Sequence, residues 1–119
     1  MRSCFAALLV LASSPAAAAV HEVYALPDLS FDPATLVIRR GDAVVFRNLG
    51  GVHNAVADSG AFRCAVNCTT NTAPSSQLWS ATVQFRHAGS FGYFCEAHEG
   101  VMRGQIVVEF ADGFESAPL

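Results

Sequence analysis

A thiol, an imidazole and a thioether fall within one short segment, Cys95-Glu96-Ala97-His98-Glu99-Gly100-Val101-Met102. Sulfur and imidazole donors suit copper far better than they suit magnesium or calcium, which take oxygen ligands. Two imidazoles, one thiolate and a weakly held methionine sulfur are the ligand set of a blue-copper electron-transfer site. The segment supplies Cys95, His98 and Met102. The second imidazole must come from elsewhere, and His53, in Gly51-Val52-His53-Asn54, is the candidate.

Whether Cys95 is free to bind metal depends on the other cysteines. The chain opens on Met1-Arg2, an apolar run from Phe5 to Leu11, the break Ser13-Ser14-Pro15 and then alanines. The run is too short to span a bilayer and has the layout of an export signal. We expect a signal peptide over residues 1–19 and a mature chain from Val20, placed in a bacterial periplasm. Cys4 leaves with that signal. Exported cysteines meet an oxidising compartment, where neighbours pair. Cys64 and Cys68 are then the expected disulfide, and Cys95 remains as the odd thiol, which metal ligation would protect. Cys64-x3-Cys68 also has the spacing of a binuclear copper site, but Thr69-Thr70-Asn71-Thr72 offers neither the histidine nor the methionine that such a site needs.

These donors need a rigid frame, and the sequence reads as β throughout. Strands are expected at Val20 to Leu26, Thr35 to Arg39, Ala43 to Asn48, Leu78 to Arg86, through Phe91 to Cys95, and Gln105 to Phe110. In the third, Val44 and Phe46 share one face and Val45 and Arg47 the other. The segment from Asp58 to Ser76, rich in Ser, Asn, Thr and Gly, reads as a loop stapled by the disulfide. Short strands separated by Gly-Asp, Gly-Gly and Ala-Gly turns indicate a sandwich or barrel. Residues 20–119 are expected to form a single domain, with a polar tail from about residue 111. No later stretch is long enough for a membrane span. The chain of 119 residues carries a net charge of −3 and no lysine, with its arginines scattered. That excludes the basic stripe of a nucleic-acid binder.

Longer motifs carry a family resemblance. Phe31-Asp32-Pro33, Leu36-Val37-Ile38, Gly41-Asp42, Val45-Phe46, Asn48 and His53-Asn54 form an upstream block. Gly89-Ser90-Phe91-Gly92-Tyr93-Phe94-Cys95, His98, Met102, Gly104 and Ile106-Val107-Val108 form a downstream one. Together they resemble the small bacterial cupredoxins of the plastocyanin, amicyanin and pseudoazurin type, over nearly the whole mature chain. The resemblance implies an all-β Greek-key sandwich or barrel of seven or eight strands. It implies one mononuclear copper ion on His53, Cys95, His98 and Met102, and Asn54 holding the His53 segment against the Cys95 loop. It further implies that His98 reaches the surface through an apolar patch, to which Val101 and Leu49 would contribute. Three positions depart from the family pattern. Met102 follows His98 at a spacing between those of amicyanin and plastocyanin. Ala97 replaces a common proline, and Phe94 replaces the tyrosine of a second electron route.

The function expected is a periplasmic, monomeric electron carrier cycling between Cu(I) and Cu(II), not an enzyme. The His-x-His pairs of a trinuclear copper cluster are absent from the sequence. Glu96 and Glu99 flank His98 and are expected to help dock a basic redox partner. The alternative is a copper-delivery protein, which would be richer in exposed Met and His. His87 and His21 read as ordinary histidines. Cleavage after Ala18 would, however, leave Ala19-Val20-His21 as a terminal copper(II) chelate.

Overall fold

Alternation along the strands places the core. In β4 (Ala43–Asn48) Val44, Phe46 and Asn48 are buried while Val45 and Arg47 are only partly covered, the period of two that a pleated strand imposes. The computed structural model describes residues 17–110. The export signal as far as residue 16 and the tail 111–119 lie outside the described residues.

Eight further strands accompany β4: β1 (Val20–Ala25), β2 (Phe31–Asp32), β3 (Thr35–Arg39), β5 (Ala55–Ala57), β6 (Arg63–Cys64), β7 (Ser80–Gln84), β8 (Gly89–Phe94) and β9 (Arg103–Glu109). One sheet runs β2-β1-β4-β7 and the other β3-β9-β8-β5-β6. The chain therefore crosses between sheets at β2 to β3, β3 to β4, β4 to β5, β6 to β7 and β7 to β8. Two of the pairings are parallel: β1 with β4, in register Val23↔Phe46, and β3 with β9, in register Val37↔Val107. The architecture is the expected all-β sandwich. It exceeds seven or eight strands because β2 and β6 count although each is two residues long. β6 also lies inside the segment read as pure loop, where Cys64 pairs with Ala55. No helix among the described residues is long and apolar enough to cross a membrane.

Aromatic rings fill the space between the sheets. Tyr93 of β8 meets Phe31 edge-on at 4.8 Å and Phe46 at 5.3 Å, and Phe46 lies 5.6 Å from Phe62. Such edge contacts suit the ring quadrupoles and add to the area buried. Tyr93 is fully buried, its hydroxyl has no hydrogen-bond partner, and burial pushes its pKa well above the usual phenol range.

At the other end of the sandwich, Asp42 ties the chain's first strand to the β3–β4 turn. Its carboxylate accepts hydrogen bonds from the Ala19 N–H (2.9 Å) and the Arg39 N–H (3.1 Å), and its Oδ2 lies 2.9 Å from His21 Nε2. Burial opposes ionisation of Asp42, but the bonds from His21, Ala19 and Arg39 prevail and hold its pKa below the usual carboxylate value. A depressed folded-state pKa contributes stability above the ordinary value, lost as pH falls through the depressed one. Asp42→Ala is expected to lower stability by about 1–3 kcal/mol, because it orphans the His21 ring and the Arg39 N–H, the donors that lie within the expected mature chain. Denaturant unfolding at pH 7 checks the loss, and the variant should show a flatter acid limb than the wild type.

Candidate metal centre

His53 sits where the chain leaves β4, and its backbone is fixed on both sides. Its N–H donates to the Ser75 carbonyl (3.2 Å), the Ser75 N–H donates back (3.0 Å), and the buried Trp79 indole N–H donates to the His53 carbonyl (3.1 Å). Asn48 builds the turn before it. Its side-chain amide donates to the carbonyls of Gly51, Ser75 and Gln77 at 2.9, 3.1 and 2.8 Å, and its Oδ1 accepts the Gly50 N–H at 3.0 Å. The His53 ring is fully buried, and its Nε2 has no partner at hydrogen-bond geometry. Burial is the main cause that lowers its pKa; the Gly50 carbonyl opposes it, His98 adds to it and the Leu26 carbonyl opposes it. Burial thus favours the neutral ring, which is the form that binds metal.

The other donors come from the turn between β8 and β9. Cys95 ends the strand, and Glu96–His98 forms a single 3-10 turn. The loop closes on itself. The Cys95 N–H donates to the Met102 carbonyl, and the His98 carbonyl accepts from the N–H groups of Val101 and Met102, all at 3.1 Å. Cys95 is buried and free, while Cys64 and Cys68 are joined in a disulfide, as the cysteine count predicted.

The two anchors converge. The ligand atoms of His53, Cys95 and His98 all lie within 4.8 Å of one another. Cys95 Sγ is 3.9 Å from His53 Nδ1, and the two imidazole rings are 5.3 Å apart at 65°. His98 Nε2 lies 3.2 Å from the Val52 carbonyl. A carbonyl only accepts, so the tautomer that satisfies this contact donates from Nε2 and leaves Nδ1 to a metal. One cysteine sulfur and two imidazoles within reach of one ion fit copper. Met102 is fully buried on the same loop, with its backbone bonded to Cys95 and His98.

The chain belongs to the plastocyanin/azurin family of copper-binding proteins. That family's profile matches residues 18–109. Chloroplastic plastocyanin of the alga Tetradesmus obliquus is 39% identical over 89 residues, spanning 68% of this chain. The chain spans 59% of that relative's length. Among solved structures, a mutant plastocyanin of fern superposes with a TM-score of 0.59 at 20% identity, over 74% of this chain and 99% of that one, which establishes a shared fold. A point mutant of amicyanin in its oxidised state gives a TM-score of 0.57 at 24% identity, over 76% of this chain and 82% of the other. Copper is the cofactor of this plastocyanin-like fold.

Asn54 links the His53 segment to the Cys95 loop by hydrogen bonds. Its Oδ1 accepts the Glu96 N–H (2.9 Å), and its amide donates to Glu96 Oε1 (2.7 Å) and the Thr72 carbonyl (3.0 Å). Glu96 is not the free flanking charge expected of it. Its carboxylate is engaged by Arg63 at 2.6 Å, and Asn54 first, then Arg63, hold its pKa below the usual range against burial. Glu99 is exposed. Val101 and Leu49 are exposed, as expected of an apolar rim, and so are Val52 and Leu78, which sequence reasoning passed over. Arg103 lies 5.7 Å over the Phe94 ring and pairs with Asp58 at 2.5 Å.

Proposed function

We propose that this chain is an exported electron carrier of the bacterial periplasm. Its single copper is held by His53, Cys95 and His98, with Met102 as the fourth ligand. The observation that carries the reading is the convergence of three copper-type donors within 4.8 Å, drawn from two separately braced segments. Copper held by these residues would supply one-electron redox chemistry. The protein residues supply the rest. Buried His53 and Cys95 keep water away, the Trp79 and Ser75 bonds hold the His53 backbone in place, and Asn48 braces the turn before it. His98, partly exposed, is the edge through which electrons enter and leave. The exposed apolar side chains of Leu49, Val52 and Val101 offer a dry contact for a partner protein.

Nothing in this arrangement requires an independent enzymatic step. A copper-delivery role would call for ligands open to exchange, whereas His53, Cys95 and Met102 are each 0% exposed. The test is one visible spectrum. Protein loaded with Cu(II) should show an intense band that bleaches on reduction and returns on reoxidation. Weak colour with prompt surrender of copper to a mild chelator would favour delivery.

With Glu96 occupied by Arg63, Glu99 carries the charge available for docking. Glu99→Gln is expected to slow reaction with a basic redox partner about twofold to threefold at low salt and to leave it unchanged at high salt. Stopped-flow rates across an ionic-strength series check this. A wild-type rate insensitive to salt would remove charge from the docking step.

A further inference from the structure

We propose that Arg63 is a positioning residue for the metal centre, acting through Glu96, Asn54 and Thr72 to lock the His53 segment to the Cys95 loop. The inference rests on the copper reading above and adds to it a residue outside the ligand motifs.

Four side chains close a ring. Arg63 reaches Glu96 Oε1 with both Nε (2.9 Å) and Nη2 (2.6 Å). Its remaining Nη1 donates to the Thr72 hydroxyl. Asn54 donates to the same Glu96 oxygen and to the Thr72 carbonyl. The ring therefore runs Arg63, Glu96, Asn54, Thr72 and back to Arg63. Two of its members adjoin ligands in the chain, Asn54 beside His53 and Glu96 beside Cys95. The bond from the Glu96 N–H to Asn54 Oδ1 spans the gap between them.

Arg63 itself is well fixed. It pairs with Val56 in the β5–β6 ladder, next to the Cys64–Cys68 disulfide. The chain from that disulfide to Thr72 is ordered by Asn67, whose Oδ1 accepts the N–H groups of Thr69, Thr70 and Asn71 at 3.0, 2.8 and 2.9 Å. The stapled segment thus supplies two arms, Arg63 and Thr72, that grip the clasp from outside. Only a planar guanidinium meets both Glu96 and Thr72 with fixed donors; an ammonium is a single point charge. An exposed ion pair adds little to overall stability. The effect of Arg63 is therefore expected on the geometry and metal retention of the site and not on global unfolding.

The test compares Arg63→Gln, Arg63→Lys and Thr72→Val with the full-length wild type. In metal-free protein, hydrogen exchange at the Glu96 N–H should rise about tenfold in Arg63→Gln, reporting a loosened clasp. In copper-loaded protein, release of copper to a chelator should quicken about tenfold, the lower end of what loss of a supporting hydrogen bond costs in metal affinity. The visible band should shift while the melting temperature stays close to wild type. Arg63→Lys should recover part of both effects. Thr72→Val, which keeps the carbonyl bonded to Asn54, should show a smaller rise in exchange and serves if Arg63→Gln folds poorly. Wild-type exchange and release in Arg63→Gln, or changes that merely follow a lower melting temperature, would overturn the proposal. A wild type that retains no copper would overturn the carrier reading, while exchange in the metal-free protein still decides whether Arg63 holds the loop.

Discussion

Cys95→Ser protein loaded with Cu(II) is expected to be nearly colourless. The intense colour of a blue-copper site belongs to the thiolate–copper(II) bond, and serine offers only a hard, protonated oxygen in its place. Visible absorbance per copper should fall by roughly tenfold or more. The fold should survive, because serine is close to cysteine in size and leaves the backbone bonds of this residue untouched. Its N–H goes to the Met102 carbonyl and its carbonyl receives the His98 N–H, while the polar contacts of the buried side chain are two long ones of 3.9 Å, to the Val52 carbonyl and His53 Nδ1. Circular dichroism of the metal-free variant should match wild type, with a melting temperature within about 5 °C. Full colour in Cys95→Ser would mean that the thiolate is not the ligand, and the proposed carrier function would fall with it.

The same residue shows why so much of the site was legible in the sequence. Cys95, His98 and Met102 lie in one turn, so their spacing alone brings them close. Cysteine arithmetic settled which thiol was free, because Cys64 and Cys68 are near enough in the chain to find each other. His53 needed a longer inference, since nothing local joins it to Cys95; the His-Asn pair and the family pattern supplied it. Strand periodicity was equally readable in β4, where alternation reports burial directly. Periodicity says nothing of partners, however. The parallel pairings of β1 with β4 and of β3 with β9 join residues far apart in sequence. β5 and β6 are too short to show a period.

Glu96 illustrates the cost of that blindness. Read along the chain, it is an acidic residue beside His98 and a natural docking charge. In three dimensions its partner is Arg63, 33 positions away, and its carboxylate is turned to internal use. Asn48 is the converse case. It is a polar residue at the end of an apolar strand, yet it is only 2% exposed, and its amide nitrogen, with two N–H groups shared among three backbone carbonyls, shapes the turn that presents His53. A buried asparagine that satisfies several backbone carbonyls specifies one loop conformation, because the alternatives leave it unpaired. The copper centre thus depends on polar residues that carry no metal-binding signal of their own.

Gly51 carries that dependence furthest. Its φ is +94°, a conformation that side chains disfavour, and a Cβ there would stand 2.6 Å from His53 Nε2 and 3.1 Å from its Cε1. The ring has little freedom to retreat, because the His53 backbone is pinned by Ser75 and Trp79. Gly51→Ala must therefore displace a ligand or break the turn. Copper affinity is expected to fall by about 10–100-fold, at least the penalty for losing a group that merely orients a ligand. Backbone strain adds a stability loss of about 1–3 kcal/mol. Gly60→Ala separates the two effects: Gly60 has a φ of +83°, yet a Cβ there meets nothing within 4 Å. That control should lose stability while holding copper as tightly as wild type in a competition titration. Equal affinities for Gly51→Ala and Gly60→Ala would show that the His53 ring is not constrained by its neighbour, and that its placement comes from the Asn48 and Trp79 bonds alone.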